Sequence, residues 1–176
     1  HIRNLEDITL QIFDKMKKIH GLGQRERLLL QVSVILHNCG KYISLADVAE
    51  CAYNIIMATE IIGLSHAERK IIANVVRFNT LEFCYYDELA AASYVSREEY
   101  LVIAKLTAIL RVANALDRSH KQKCRDFTVT LREDTLAIVV NTQEDLTLEK
   151  GTLEEKVEFF EEVFNVHPVI KQKKKI

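Results

Sequence analysis

His37 and Asn38 close the apolar run RERLLLQVSVILHN and are followed at once by Cys39 and Gly40. Neighbouring helix residues point about 100° apart, so in hydrolases built on an adjacent His-Asp pair both side chains reach one metal cluster, the carboxylate bridging two ions. Here an amide stands where that chemistry needs a carboxylate. Asn is a neutral, weak ligand for a divalent cation, and making hydroxide at a dinuclear centre depends on anionic oxygens and imidazoles. The residues alone favour a plainer role: His37 as a core histidine bonded to a backbone carbonyl, and Asn38 as the cap of a helix end.

A second constellation is basic. Arg118, His120, Lys121, Lys123 and Arg125 crowd the segment DRSHKQKCRD. Cations so placed can hold a polyanion, because each neutralised phosphate releases counterions and Arg binds phosphate oxygens two at a time. The terminal Lys171, Lys173, Lys174 and Lys175 form another basic run, expected to be frayed and solvated. Tyr42, Tyr53, Tyr85 and Tyr86 are scattered and Trp is absent, so no base-stacking platform is expected. The sequence has no G-x-G-x-x-G, P-loop or nucleophile elbow.

These residues sit in 176 that are 48% hydrophobic and 28% charged, with five Gly and one Pro, which excludes a disordered or collagen-like chain and points to a soluble, mostly helical fold. Lys and Arg number 24 against 25 Asp and Glu, so no global charge draws the chain to nucleic acid or membrane. Cys39, Cys51, Cys84 and Cys124 are spread without a C-x-x-C pair, which argues against a zinc knuckle and makes a reducing cytoplasm the expected compartment. No apolar run approaches the roughly 20 residues of a membrane span, and the start lacks the pattern of a secretory signal. Because the chain begins with His1 and enters an amphipathic pattern directly, it is expected to be a fragment of a longer protein.

Helical spacing of Leu5, Ile8, Ile12, Met16 and Ile19 predicts a first helix over 2–20, stopped by Gly21 and Gly23. Arg25–Asn38 is apolar over most of its circumference and predicts a helix surrounded by others. Ala49–Ile62 predicts another, ended by Gly63. Ser65 with Glu68 and Ser96 with Glu99 read as capping boxes opening the helices that follow. Residues 79–92 are ambiguous. Beyond Cys124 the period changes to two: Phe127, Val129 and Leu131, then Leu136, Ile138 and Val140, predict a hairpin turning at Glu133-Asp134. Thr152 with Glu155 predicts the cap of a helix carrying Leu153, Val157, Phe160 and Phe164, and Val166–Ile170 a returning strand. The fold class expected is mainly α, with a helical bundle over 1–124 and a small ββαβ subdomain over 125–176 packed on it.

Three blocks, SVILHNCGKYIS, IIGLSHAERKIIANVVRFN and LRVANALDRSHKQK, resemble in order the C-terminal region of the exopolyphosphatase and guanosine pentaphosphate phosphatase family. The resemblance implies an HD-domain-like helical bundle followed by a small α/β subdomain. It also implies that hydrolysis belongs to actin-like N-terminal domains, with Mg or Mn in the full-length parent and no cofactor in this part. Among the positions matching HD-type ligands, His1 and His37 keep their type. Asn38 replaces the aspartate of the pair, Cys51 stands where a histidine is common, Asn79 follows Arg77-Phe78 where Arg-Tyr-His is usual, and Asn114 in ANALD takes the place of an aspartate. Both carboxylates are lost, so a degenerate site without metal is expected, and Cys51 reads as a small buried hydrophobe. Asp117 is expected to sit at a helix end beside Arg118 or Arg111.

The function expected is that of a non-catalytic accessory domain of a polyphosphate or guanosine pentaphosphate phosphohydrolase. Arg118, His120, Lys121, Lys123 and Arg125 would be its polyphosphate-binding residues. Its partners would be the parent's own catalytic domains, the anionic substrate and a second copy in a homodimer, with neither membrane nor nucleic acid. Two other classes compete: an active metal-dependent HD phosphohydrolase using His1, His37 and Cys51, and a purely structural interaction module.

Overall fold

The computed structural model describes residues 2–174. Helices α1 (Ile2–Lys15), α2 (Lys17–His20), α3 (Gln24–Leu36), α4 (Val48–Ala58), α5 (His66–Phe78), α6 (Tyr86–Ser93) and α7 (Arg97–Leu116) precede strands β1 (Phe127–Arg132) and β2 (Thr135–Asn141), helix α8 (Thr147–Phe164) and strand β3 (His167–Lys173). The chain is mainly α-helical with a small α/β part, as its periodicities predict. It divides into two compact units, Leu22–Thr107 and the discontinuous His1–Gly21 with Ala108–Ile176. That division follows packing, and does not fall at the change from helix to strand near 124.

In the Leu22–Thr107 unit, α4 and α3 both pack on α5, whose Ile71, Ile72, Val75, Val76 and Phe78 are buried. Both capping boxes form. Ser65 Oγ accepts from Glu68 N at 3.1 Å and Glu68 returns to Ser65 N at 3.0 Å; Ser96 and Glu99 do the same at 3.1 and 3.2 Å. Glu68 also takes the Arg25 guanidinium, so one carboxylate joins the starts of α3 and α5. Lys70 is buried, donating to Tyr94 O at 2.9 Å and lying 3.1 Å from Glu99. Helix α3 departs from expectation: Leu29, Leu30, Ser33 and Val34 are buried, but Leu28 and Ile35 are exposed, so its apolar run is not enclosed all round. Helix α4 stops at Ala58, short of Ile62, where Thr59 turns to extended backbone and its hydroxyl bonds back to Ile55 O.

In the other unit, Met16 interrupts the expected first helix and separates α1 from α2, which ends on Gly21 in the left-handed conformation. Strands β1 and β2 form the predicted hairpin, Arg132 facing Thr135 across the turn. Helix α8 then crosses over, and β3 joins β2 in parallel with Thr135 opposite His167 and Asn141 opposite Lys173. The sheet order is β1-β2-β3. Its inner side chains, Val129, Leu136, Ile138, Val140 and Pro168, are buried, with α1 against β1 and α8 against β3. Two expectations are corrected here. Helix α8 begins five residues before Thr152, because the Asp145 carboxylate accepts from Thr147 N at 3.0 Å. Lys171 and Lys173 are paired in β3 and not frayed, since backbone pairing with β2 runs through Lys173; Lys175 lies outside the described residues.

Candidate functional site

Helix α3 ends on His37, and at a helix end the last carbonyls lack intrahelical donors. The His37 ring fills one of these places: Nδ1 donates to Val34 O at 2.6 Å. A carbonyl can only accept, so the proton sits on Nδ1 and Nε2 carries the lone pair. Asn38 Nδ2 donates to that Nε2 at 2.8 Å. The expected core histidine bonded to a backbone carbonyl is thus present. The Asn38 side chain, however, closes on the imidazole and does not cap the helix, because the ring nitrogen next door is the nearer acceptor.

The chain continues into a 3-10 turn at Cys39–Tyr42. A Cβ on Gly40 would lie 2.0 Å from Val48 O and 2.7 Å from Ala52 N, so only a residue without a side chain lets this turn lie on the backbone of α4. Cys51, on α4, is part-exposed and not buried as expected. Asn79 is the C-cap of α5, buried, with its Oδ1 lacking a hydrogen-bond partner among the described residues. Asn114 lies on α7 in the other unit, half-buried, and His1 falls outside the described residues. Among the described residues no three His, Cys, Asp or Glu side chains converge into a ligand set. A divalent cation of the HD type does not fit what is present: the one imidazole lone pair at His37 is occupied, and the neighbouring donor is a neutral amide.

The basic segment follows α7, and its members play different parts. Arg118, His120 and Lys121 are exposed, His120 with a left-handed φ of 55°. Lys123 turns inward, its Nζ 2.6 Å from Asp145 O and 3.4 Å from Glu149 Oε2. Arg125, though exposed, hydrogen-bonds Gln122. A shallow cleft holds Lys121, Lys123 and Arg125 together with the acids Asp126 and Glu144, so its charge is mixed.

Beneath the segment lies a polar cluster. Glu149 is fully buried; burial alone would raise its carboxyl, but Ser119, its own helix N–H and Lys123 hold it below the ordinary range. Burial pushes the Asp117 carboxyl up, opposed by His120, the Gln122 N–H and Asn4. Arg111 lies over the Phe159 ring at 4.7 Å. Burial beside Glu149 and Asp117 pushes the Cys124 thiol up to about 12.

Sequence reasoning missed Glu149. A signal was available: along α8 the buried positions run Leu146, Glu149, Leu153, Phe160 and Phe164, placing a carboxylate in the apolar stripe of the helix.

A family profile described as Ppx/GppA phosphatase, domain III, matches residues 1–159. The chain belongs to this family. Domain III therefore accounts for all the helical elements through most of α8, and the match ends short of β3. A comparison with curated proteins finds no match. No helix among the described residues is long and apolar enough to cross a membrane.

Proposed function

We propose that this Ppx/GppA domain III chain is a non-catalytic accessory part of an exopolyphosphatase or guanosine pentaphosphate phosphohydrolase. It holds the anionic substrate for the parent's own N-terminal catalytic domains in the cytoplasm, and the divalent Mg or Mn of the reaction belongs to those domains. The observation that carries this reading is the hydrogen bond from Asn38 Nδ2 to His37 Nε2, which occupies the atom a catalytic metal would need. Of the expected anion-binding residues, Arg118, His120 and Lys121 point outward and support the holding role directly. Lys123 supports it by anchoring the segment to Glu149, and a second copy of the chain is a further partner.

Phosphate release by the purified chain from long-chain polyphosphate and from a generic phosphate ester, with Mn²⁺ or Mg²⁺, tests this. The expected result is no turnover beyond that of His37→Ala. Robust turnover abolished by His37→Ala would overturn the reading and restore an active HD-type centre.

A further inference from the structure

Strand β2 is the middle one of the three, so β3 carries an edge with which no other strand pairs among the described residues. The ladder shows which backbone groups lie on that edge. His167 N donates to Asp134 O and Lys173 O accepts from Thr142 N, so the odd-numbered residues of β3 turn their backbone groups to β2. The residues between them turn theirs the opposite way, which puts the N–H groups of Ile170 and Gln172 and the carbonyls of Pro168, Ile170 and Gln172 on the outer edge. Beside this edge runs an open groove, lined by Leu153 and Val157 of α8 and by Pro168 and Ile170 of β3. Lys150 and Glu154, one turn apart on α8, also line it and carry no net charge between them. Side chains alternate as well: Pro168 and Ile170 lie opposite the buried Leu136 and Ile138, whereas Lys171 and Lys173 lie on the outer face of the sheet.

We propose that an extended peptide of a partner protein adds to this edge as a fourth strand, with acidic side chains beside Lys171 and Lys173 and apolar ones in the groove on α8. This is independent of the substrate-holding reading. Main-chain bonds to the edge supply affinity, and the alternating side chains supply selectivity. Directly opposed residues of paired strands share a face, so the pattern of the peptide follows from that of β3. Residues opposite Lys171 and Lys173 lie on the outer face, where those two cations have no ion pair among the described residues. The acids lining that face, Glu133 and Asp134, sit at the hairpin turn, by the other end of β3. Residues opposite Pro168 and Ile170 turn inward, to the side of Leu153 and Val157. Run antiparallel, the more stable pairing, the peptide reads acid-x-acid-apolar-x-apolar from its N-terminus. A second copy of β3 is a poor occupant. In either direction it gathers four lysines on one narrow face, and like charges across a strand pair repel.

The test is fluorescence polarisation of the labelled, end-blocked peptide Glu-Thr-Glu-Val-Thr-Val with the intact chain. Methylating the backbone nitrogen of its fourth residue, which faces Ile170, is expected to weaken binding about tenfold. The same change at the fifth residue, whose N–H points away from β3, should alter it less than about twofold. These two arms need no variant of the chain. Lys171→Gln/Lys173→Gln should weaken the parent peptide about fivefold, the share of two cross-strand charge pairs. Lys171→Glu/Lys173→Glu should instead prefer Lys-Thr-Lys-Val-Thr-Val, with unchanged unfolding midpoints confirming that both variants are folded. No binding of the acidic peptide at roughly millimolar chain would overturn the proposal. Equal effects of the two methylations would reduce the contact to surface charge, and an unreversed preference would remove the acidic partner. Dimers of the intact chain that the peptide dissolves would give the edge to a second copy and overturn the choice of occupant.

Discussion

The end of helix α3 and the outer face of the sheet both present groups able to meet a phosphate or a metal, yet they treat those groups in opposite ways. At α3 the imidazole of His37 is closed off by its own chain, Nδ1 by the carbonyl three residues back and Nε2 by the amide one residue on. On the sheet, alternation sends Lys171 and Lys173 outward while Gln172 between them turns to the carbonyls of Thr142 and Glu144. The difference lies in geometry and not in residue type. A helix end has unsatisfied backbone groups within reach of nearby side chains, whereas alternation along a strand carries its outward side chains away from the backbone ladder. The basic segment combines both behaviours, with Lys123 turned in and Lys121 turned out.

The largest test of this contrast is Lys123. Replacing it with Ala leaves the fully buried Glu149 carboxylate without its cation, and breaking such a pair from one side costs about 3–5 kcal/mol. Lys121→Ala should be nearly neutral, and the double change Lys123→Met/Glu149→Leu should recover most of the loss in urea unfolding. Equal, small effects of Lys123→Ala and Lys121→Ala would make Lys123 an outward cation like its neighbour.

A smaller effect is expected at Asn38. Asn38→Ala removes one hydrogen bond at a half-buried position and should cost about 1 kcal/mol. A variant as stable as the parent would mean that the amide does not hold the ring, and the contrast with the sheet face would weaken.

The smallest effect is a pH dependence in the Leu22–Thr107 unit. The Arg25 guanidinium, with the Ser65 N–H, holds the Glu68 carboxyl down to about 2. Because the folded value lies below the unfolded one, this stabilisation is complete above the ordinary glutamate range near 4.5 and is lost as pH falls toward 2. Arg25→Gln should raise the pH at which Glu68 titrates by NMR and flatten the loss of stability between pH 5 and 3; an unmoved titration would show that the ion pair does not set it.

Local signals carried much of this architecture. The capping boxes at Ser65 and Ser96 and the switch to period two at Phe127 place α5, α7 and the hairpin from sequence, because each depends on residues three or two apart. What depends on a choice between competing local signals, or on distant partners, was not legible. The start of α8 was set by Asp145 instead of the equally well-spaced Thr152 and Glu155, and nothing local ranks the two. The apolar circumference of α3 did not reveal that Leu28 and Ile35 would remain exposed, since burial is decided by what packs alongside. The amide at Asn38 in place of a carboxylate could be read from the family resemblance, but the closure of His37 Nε2 by Asn38 needed coordinates. The same holds for the basic segment: five cations in a row look alike until Glu149, distant in sequence, selects Lys123.

The Cys124 thiol, fully buried and pushed up to about 12, gives the chain an internal clock. Alkylating reagents attack the thiolate, which near neutral pH is almost absent here and out of reach of solvent. Cys39, Cys51 and Cys84, being part-exposed, are labelled from the folded protein. Cys124 must wait for the structure around it to open, so its labelling lags theirs by a factor set by how rarely that opening occurs. Mass-resolved labelling of one native sample therefore records the local opening equilibrium around the base of α7 and the start of α8, with neither denaturant nor an introduced probe.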